Sequence, residues 1–155
     1  METKGSLESI IDILAQNEED IGILYRAYSE KFPDHVDFWK ELAQEEAEHA
    51  SWIRKLAAKA QAGTIIVKEN RFNTVAIRTF SKYLEQEHAR LKMSPVSLVN
   101  ALSVAMYIED SIIEHNYFEV FEGDDFEFKK TLLDLASATN EHRIRIKDAL
   151  KSVSG

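Results

Sequence analysis

The sequence predicts an all-α fold of five helices. Apolar residues recur at three- and four-residue intervals over long stretches, and no segment alternates apolar with polar residues for long enough to make a convincing strand. The five glycines and two prolines fall mostly where helices should break. With 155 residues, 45% of them apolar and 30% charged, the chain is expected to form one soluble domain over residues 1–155 with a sizeable core.

Ser6 can cap a first helix that runs to about Lys31, with Leu7, Ile10, Ile11, Leu14, Ile21, Leu24, Tyr25 and Tyr28 on its apolar stripe. Pro33 and Asp34 mark a stop and a new start. The second helix carries Phe38, Trp39, Leu42, Trp52, Ile53 and Leu56 and ends near Ala62-Gly63. Thr64-Ile65-Ile66-Val67 reads as a connection. A third helix follows from about Asn70 to Lys92, with Phe72, Ala76, Phe80, Tyr83, Leu84 and Leu91. Ser94-Pro95 suits an N-cap followed by proline at the first helical position. The fourth helix bears Leu98, Val99, Leu102, Met106, Ile113, Tyr117 and Val120, and Gly123-Asp124-Asp125 ends it. Asp124 with Glu127 can form a capping box for the fifth, which shows Phe128, Leu132, Leu135, Ile146 and Leu150 and fades at Lys151-Ser152-Val153-Ser154-Gly155. Helices one, two, four and five each span about 25 residues, or 38 Å. The third, slightly shorter, suits a return crossing. The expected architecture is a four-helix bundle with an additional crossover helix between the second and third bundle helices.

Each long helix has a polar residue where its stripe calls for an apolar one. Glu18 lies four after Leu14 and three before Ile21; Glu46 lies four after Leu42; His49 lies four before Ile53. Glu109 lies three after Met106, and His142 lies four before Ile146. Glu46-x-x-His49, inside Gln44-Glu45-Glu46-Ala47-Glu48-His49-Ala50, places a carboxylate and an imidazole over one patch of helix. All five positions are close to mid-helix and can meet at one depth. Three carboxylates facing one another in a core would repel and lose hydration, and a divalent cation removes that conflict. A proton-sharing polar core is the other solution. Carboxylate oxygen with imidazole nitrogen suits iron, manganese or zinc.

This ordered set resembles the ferritin-like superfamily, and within it the rubrerythrin group of diiron-carboxylate proteins. Members place a glutamate on the first bundle helix, E-x-x-H on the second, a glutamate on the third and E-x-x-H on the fourth. Glu18, Glu46 with His49, Glu109, and His142 occupy matching places over nearly the whole chain. Rubrerythrins also carry tyrosines shortly after the first and third glutamates, which Tyr25 and Tyr117 match as donors to carboxylate oxygens. The resemblance implies that Glu18, Glu46, His49, Glu109 and His142 are ligands of two iron ions, with one ion, manganese or zinc as alternatives. It also implies oxidation of ferrous iron or reduction of peroxide or dioxygen. Two positions depart from the pattern. Thr139 stands where the last helix should offer glutamate, and Ile112 stands where a second glutamate often follows Glu109. Glu141 points about 100° from His142 and is a poor substitute. Three glutamates balance only three of the four positive charges of two ferrous ions. A diiron site therefore needs an additional anion, or holds one metal tightly and the second loosely.

Glu85-x-x-His88 on the third helix would complete the ligand count, but Glu85 shares its face with Arg78, Ser81, Lys82 and Lys92, and His88 lies nearer the Leu84–Leu91 seam. His35 and His115 fit no constellation. Gly22, one turn after Glu18, permits close approach of a helix or ligand. The absence of cysteine excludes disulfides, iron–sulfur clusters and thiolate sites, so redox activity would need a separate electron donor in place of a rubredoxin-type domain. A net charge of −8 without a basic stripe argues against nucleic acid and anionic membranes. Met1-Glu2-Thr3-Lys4-Gly5 is unlike a signal peptide, and no apolar run approaches a membrane span, so the cytoplasm is expected. Aromatics such as Phe118 and Phe126, expected to be exposed, are compatible with a homodimer. The alternatives to an oxidoreductase are a metal buffer or sensor without turnover, and a helical interaction module with a degenerate metal site.

Overall fold

The computed structural model describes residues 4–63, 66–67, 74–114, 121–122 and 126–154. Five helices account for most of them: α1 (Lys4–Lys31), α2 (Val36–Gln61), α3 (Thr74–Met93), α4 (Leu98–Glu114) and α5 (Phe126–Ser154). The fold is all-α, as the apolar periodicity predicts.

Several boundaries differ from expectation for local reasons. The first helix is helical from Lys4, so Ser6 lies within its first turn rather than before it. Pro33 opens a 3₁₀ turn, Pro33–His35, that leads directly into α2. Beyond α2, Gly63 takes a φ of 80°, the left-handed conformation that stops a helix most cheaply at glycine. The cap of α4 is Ser97 rather than Ser94. Asn100 N donates to Ser97 Oγ at 3.1 Å, and Ser97 N donates to Asn100 Oδ1 at 3.4 Å, a reciprocal capping box with asparagine as the second partner. At the other end α5 persists through Ser154. Asp124 of the expected Asp124–Glu127 box lies outside the described residues.

The expected connection at Ile66–Val67 is instead a strand, β1, paired antiparallel with Phe121–Glu122, β2; Ile66 sits opposite Glu122 and Val67 opposite Phe121. Beta-branched and aromatic residues favour such pairing. The fourth helix therefore does not run to Gly123: it is helical through Glu114, residues 115–120 lie outside the described set, and Phe121–Glu122 is extended.

Packing sets the position of the polar centre. Helix α1 packs along α2 and also on α3, α4 packs on α5, and α2 meets α5. Trp39, Tyr25, Tyr28, Leu24, Leu42, Ile53, Leu102, Ile108, Leu135 and Ile146 belong to one buried cluster. From α3, Ile77, Phe80 and Leu84 join it. The inward face of α4 is turned slightly from the expected stripe: Ala101, Leu102, Ala105, Ile108 and Ile112 are buried, whereas Val99 and Ile113 are exposed. Gly22 lies where α1 packs closely against α2. A Cβ there would stand 3.2 Å from the Ala43 carbonyl oxygen and 3.5 Å from Glu46 Cβ, so the missing side chain brings the two helices together beside Glu46.

Candidate metal centre

All five of the expected polar residues are buried: Glu18 on α1, Glu46 and His49 on α2, Glu109 on α4 and His142 on α5. Periodicity brings each inward with its stripe. Leu42 and Ile53 flank the Glu46–His49 pair, Ile108 and Ile112 flank Glu109, and Leu135 and Ile146 bracket His142 in the core. Glu46, His49 and His142 offer ligand atoms that all lie within 4.8 Å of one another, a buried group that can hold a metal ion.

His142 is the hub. Its Nδ1 lies 2.9 Å from Glu46 Oε1 and 3.3 Å from Glu109 Oε1. The imidazole of His49 stacks on that of His142 with centroids 5.2 Å apart, and its Nδ1 stands 3.5 Å from Glu46 Oε2. Tyr25 donates its phenolic proton to Glu109 Oε1 at 3.0 Å, the carboxylate contact the resemblance implies for it. Tyr117 lies outside the described residues.

Electrostatics show what this cluster lacks. Both oxygens of Glu18, one oxygen each of Glu46 and Glu109, and His49 Nδ1 are buried without a hydrogen-bond partner among the described residues. Buried acceptors in that state are costly. Burial, then Glu46 and then Glu109, pushes the Glu18 carboxyl well up. Burial and the Glu46 charge raise Glu109 to about 8, against the opposing pull of His142. Burial works to raise Glu46 too, but the hydrogen bond from His142 and the nearby His49 imidazole prevail and hold it well below the ordinary range. Burial disfavours the charged form of His142, yet hydrogen bonds to Glu109 and Glu46 win and raise it to about 10. The described cluster thus sets the Glu46 carboxylate against a His142 held toward its charged form, with Glu18 and Glu109 pushed toward their protonated forms. Acceptor oxygens without donors and imidazole nitrogens facing carboxylates are the chemistry a divalent cation satisfies.

The outer face of His142 is engaged as well. Its Nε2 lies 3.2 Å from Glu45 Oε1, and Arg145 Nη2 donates to the same oxygen at 2.7 Å. Partial burial works to raise Glu45, but the hydrogen bonds from Arg145 and His142 hold it below the ordinary carboxylate value. A carboxylate on Nε2–H fixes the ring so that Nδ1 faces the centre. Sequence reasoning missed both residues. Glu45 looks like part of a solvated acidic face, and the one available signal is that Arg145 follows His142 by three on α5, on the same side of the helix.

Neither departure from the family pattern is repaired by the structure. Thr139 is buried, and its hydroxyl donates to the Leu135 carbonyl at 2.8 Å, a bond within its own helix. Ile112 packs in the apolar core. Glu141 is exposed. Glu85 is exposed and His88 half-buried; with Asp20 and Lys92 they line a pocket between α1 and α3 and are not among the converging ligand atoms. His35 is exposed, and His115 lies outside the described residues. Comparison with known proteins returned no matching family model, no matching curated protein and no matching solved structure. No helix among the described residues is long and apolar enough to cross a membrane.

Proposed function

We propose that the chain is a ferritin-like, rubrerythrin-type protein that binds non-haem iron as a carboxylate-held pair and acts on peroxide, dioxygen or ferrous iron. The observation that carries this reading is the buried Glu46–His49–His142 group, with Glu109 against His142 and Glu18 buried on α1, several of whose acceptor atoms have no donor among the described residues. The fold that goes with it is a four-helix bundle of α1, α2, α4 and α5, with α3 as the crossover helix packed on α1. Glu18, Glu46, His49, Glu109 and His142 would hold the metal. Iron held by carboxylates and imidazoles with open positions exchanges electrons with oxygen species.

The chain's own residues have definable parts. Glu46 remains ionised without metal and gives an entering cation its first anionic partner. His142 is presented through Nδ1 by the Glu45–Arg145 pair on its other nitrogen. Tyr25 holds a proton at Glu109 Oε1. The apolar wall, with Tyr25, Trp39, Leu24 and Ile53 all fully buried, keeps bulk water away. With no cysteine in the chain, electrons come from a separate donor.

A metal buffer or sensor is the second reading, favoured by the Thr139 hydroxyl being spent on Leu135. Elemental analysis after anaerobic ferrous loading and desalting tests both, with Glu46→Ala alongside. The proposal expects two irons per chain, lost in the variant, and consumption of peroxide when a reductant is supplied. Retained metal with no peroxide or ferrous-iron oxidation selects the buffer or sensor. No retained metal, with a melting temperature indifferent to iron, manganese and zinc, refutes metal binding and leaves the interaction module.

A further inference from the structure

Tyr83 on α3 and Tyr107 on α4 lie ring on ring, with centroids 4.6 Å apart and planes 11° from parallel. The stack joins two parts of the fold, since α3 packs on α1 whereas α4 packs on α5. Among the described residues it is the one contact between two tyrosine rings. Tyr25 meets Trp39, and Tyr28 meets Trp39 and Phe32.

Stacked aromatic rings are ordinarily a packing device. Burial accounts for little of this stack, because Tyr107 is 55% exposed and Tyr83 only half-buried. Tyr25 and Tyr28, by contrast, are at most 1% exposed. The chain therefore holds two phenols face to face where an oxidant in solution can reach them. Reacting groups kept in contact need no diffusional encounter, and the rings are a small side-chain rotation from bonding distance. Burial, then Glu87 and Tyr107, raises Tyr83 to about 12, so at neutral pH it enters as the neutral phenol.

We propose that Tyr83 and Tyr107 are a site of oxidative cross-linking, at which hydrogen peroxide acting through a peroxidase-class catalyst joins the two rings and staples α3 to α4. Each phenol loses one electron and, because an oxidised phenol is strongly acidic, one proton to the water at its open edge. The two radicals couple through a new carbon–carbon bond between ring positions beside the hydroxyls. The hydrogens on those two carbons then leave as protons while both oxygens are reprotonated, which restores the aromatic rings. The net loss is two electrons and two protons, which reduce one hydrogen peroxide to two waters. The oxidant is external, so the site stands whether or not the polar centre binds metal.

Full-length, metal-free protein tests this, with light-excited tris(bipyridyl)ruthenium and persulfate as the probe oxidant; one persulfate accepts the two electrons and becomes two sulfates. Peptide mass analysis of the monomer fraction should find the Tyr83 and Tyr107 peptides joined with the loss of two hydrogens. Tyr83→Phe and Tyr107→Phe each keep a ring for stacking, and both should abolish the link with circular dichroism unchanged. Unfolding in urea before illumination should cut the yield severalfold, because the contact is then lost. The treatment should raise the melting temperature of the parent and not that of Tyr107→Phe, because the linked chain stays looped when unfolded. Links only between molecules, a link that persists in either variant, or equal yield in urea overturns the cross-linking site. A linked parent that melts no higher than before overturns the staple.

Discussion

Filling the centre with a divalent cation should drive protons into solvent, and their number reports which residues are recruited. Without metal at pH 7, His142 at about 10 and Glu109 at about 8 both carry protons, while Glu46 is held low and Glu18 is raised well above the ordinary range. Ligands must be deprotonated, so a cation that engages both His142 and Glu109 releases about two protons from them. One that engages His142 and leaves Glu109 protonated releases about one from that pair. Apparent affinity then rises about a hundredfold per pH unit in the first case and about tenfold in the second. Calorimetric titration with manganese or zinc in two buffers of different ionisation enthalpy measures the count directly. Tight binding with no proton release would refute the protonation pattern derived from the burial of these acids.

The same groups give the metal-free protein an unusual stability profile. Glu18 and Glu109 have folded values above their ordinary 4.5, and His142 has one above 6.5, so their contributions are fully present at low pH. They are lost as pH rises through about 8 for Glu109 and about 10 for His142. Glu46 acts oppositely, its contribution lost as pH falls below the ordinary carboxylate range. Each excess proton held by the folded state is worth about 1.4 kcal/mol per pH unit. Chelator-treated protein should therefore lose melting temperature steadily between neutral and alkaline pH, and saturating metal should flatten that decline.

Substitutions at three positions test the surroundings of the centre. Glu45→Gln keeps the shape but removes the carboxylate on His142 Nε2 and the charge partner of Arg145; metal affinity should fall by about 10–100-fold, with circular dichroism unchanged. Unaltered affinity would show that packing alone orients the ring. Thr139→Glu restores a carboxylate three residues before His142, and the weaker of two metal-binding phases should strengthen toward the tighter. Thr139→Gln, of equal bulk, should not show this, and equal stoichiometric behaviour of both variants would remove Thr139 from the argument. Gly22→Ala forces a Cβ against the Ala43 carbonyl of a packed helix; it should destabilise by about 1 kcal/mol despite the better helix propensity of alanine, read by denaturant titration. A gain in stability would mean that α1 and α2 can separate at little cost.

The inward glutamates and histidines were legible because each interrupts an apolar stripe, and a buried charge is conspicuous against Leu42, Ile53 or Ile146. Glu45 and Arg145 were not, because each sits at the edge of its helix face and their meaning arises only when α2 and α5 meet. Ser97 lost to Ser94 in the sequence because proline after serine is a strong local signal, whereas reciprocal bonding to Asn100 requires the turn to have formed. The β1–β2 pair was invisible for a related reason. The residues leading to Phe121 keep helical spacing, and nothing local reveals that Phe121–Glu122 will find Ile66–Val67.

That two-residue ribbon has a consequence for how the chain opens. It ties the link after α2 to the link before α5, so α3 and α4 become the arc of a closed loop rather than a stretch with free ends. Closing a long loop costs only slightly more than closing a short one, because the entropy grows with the logarithm of length. Two residue pairs return little in exchange, since an isolated hairpin is marginal in water. The ribbon is thus a latch rather than a weld. It can release while the α1–α2 and α4–α5 packing persists, giving the molecule a partial opening that costs far less than unfolding.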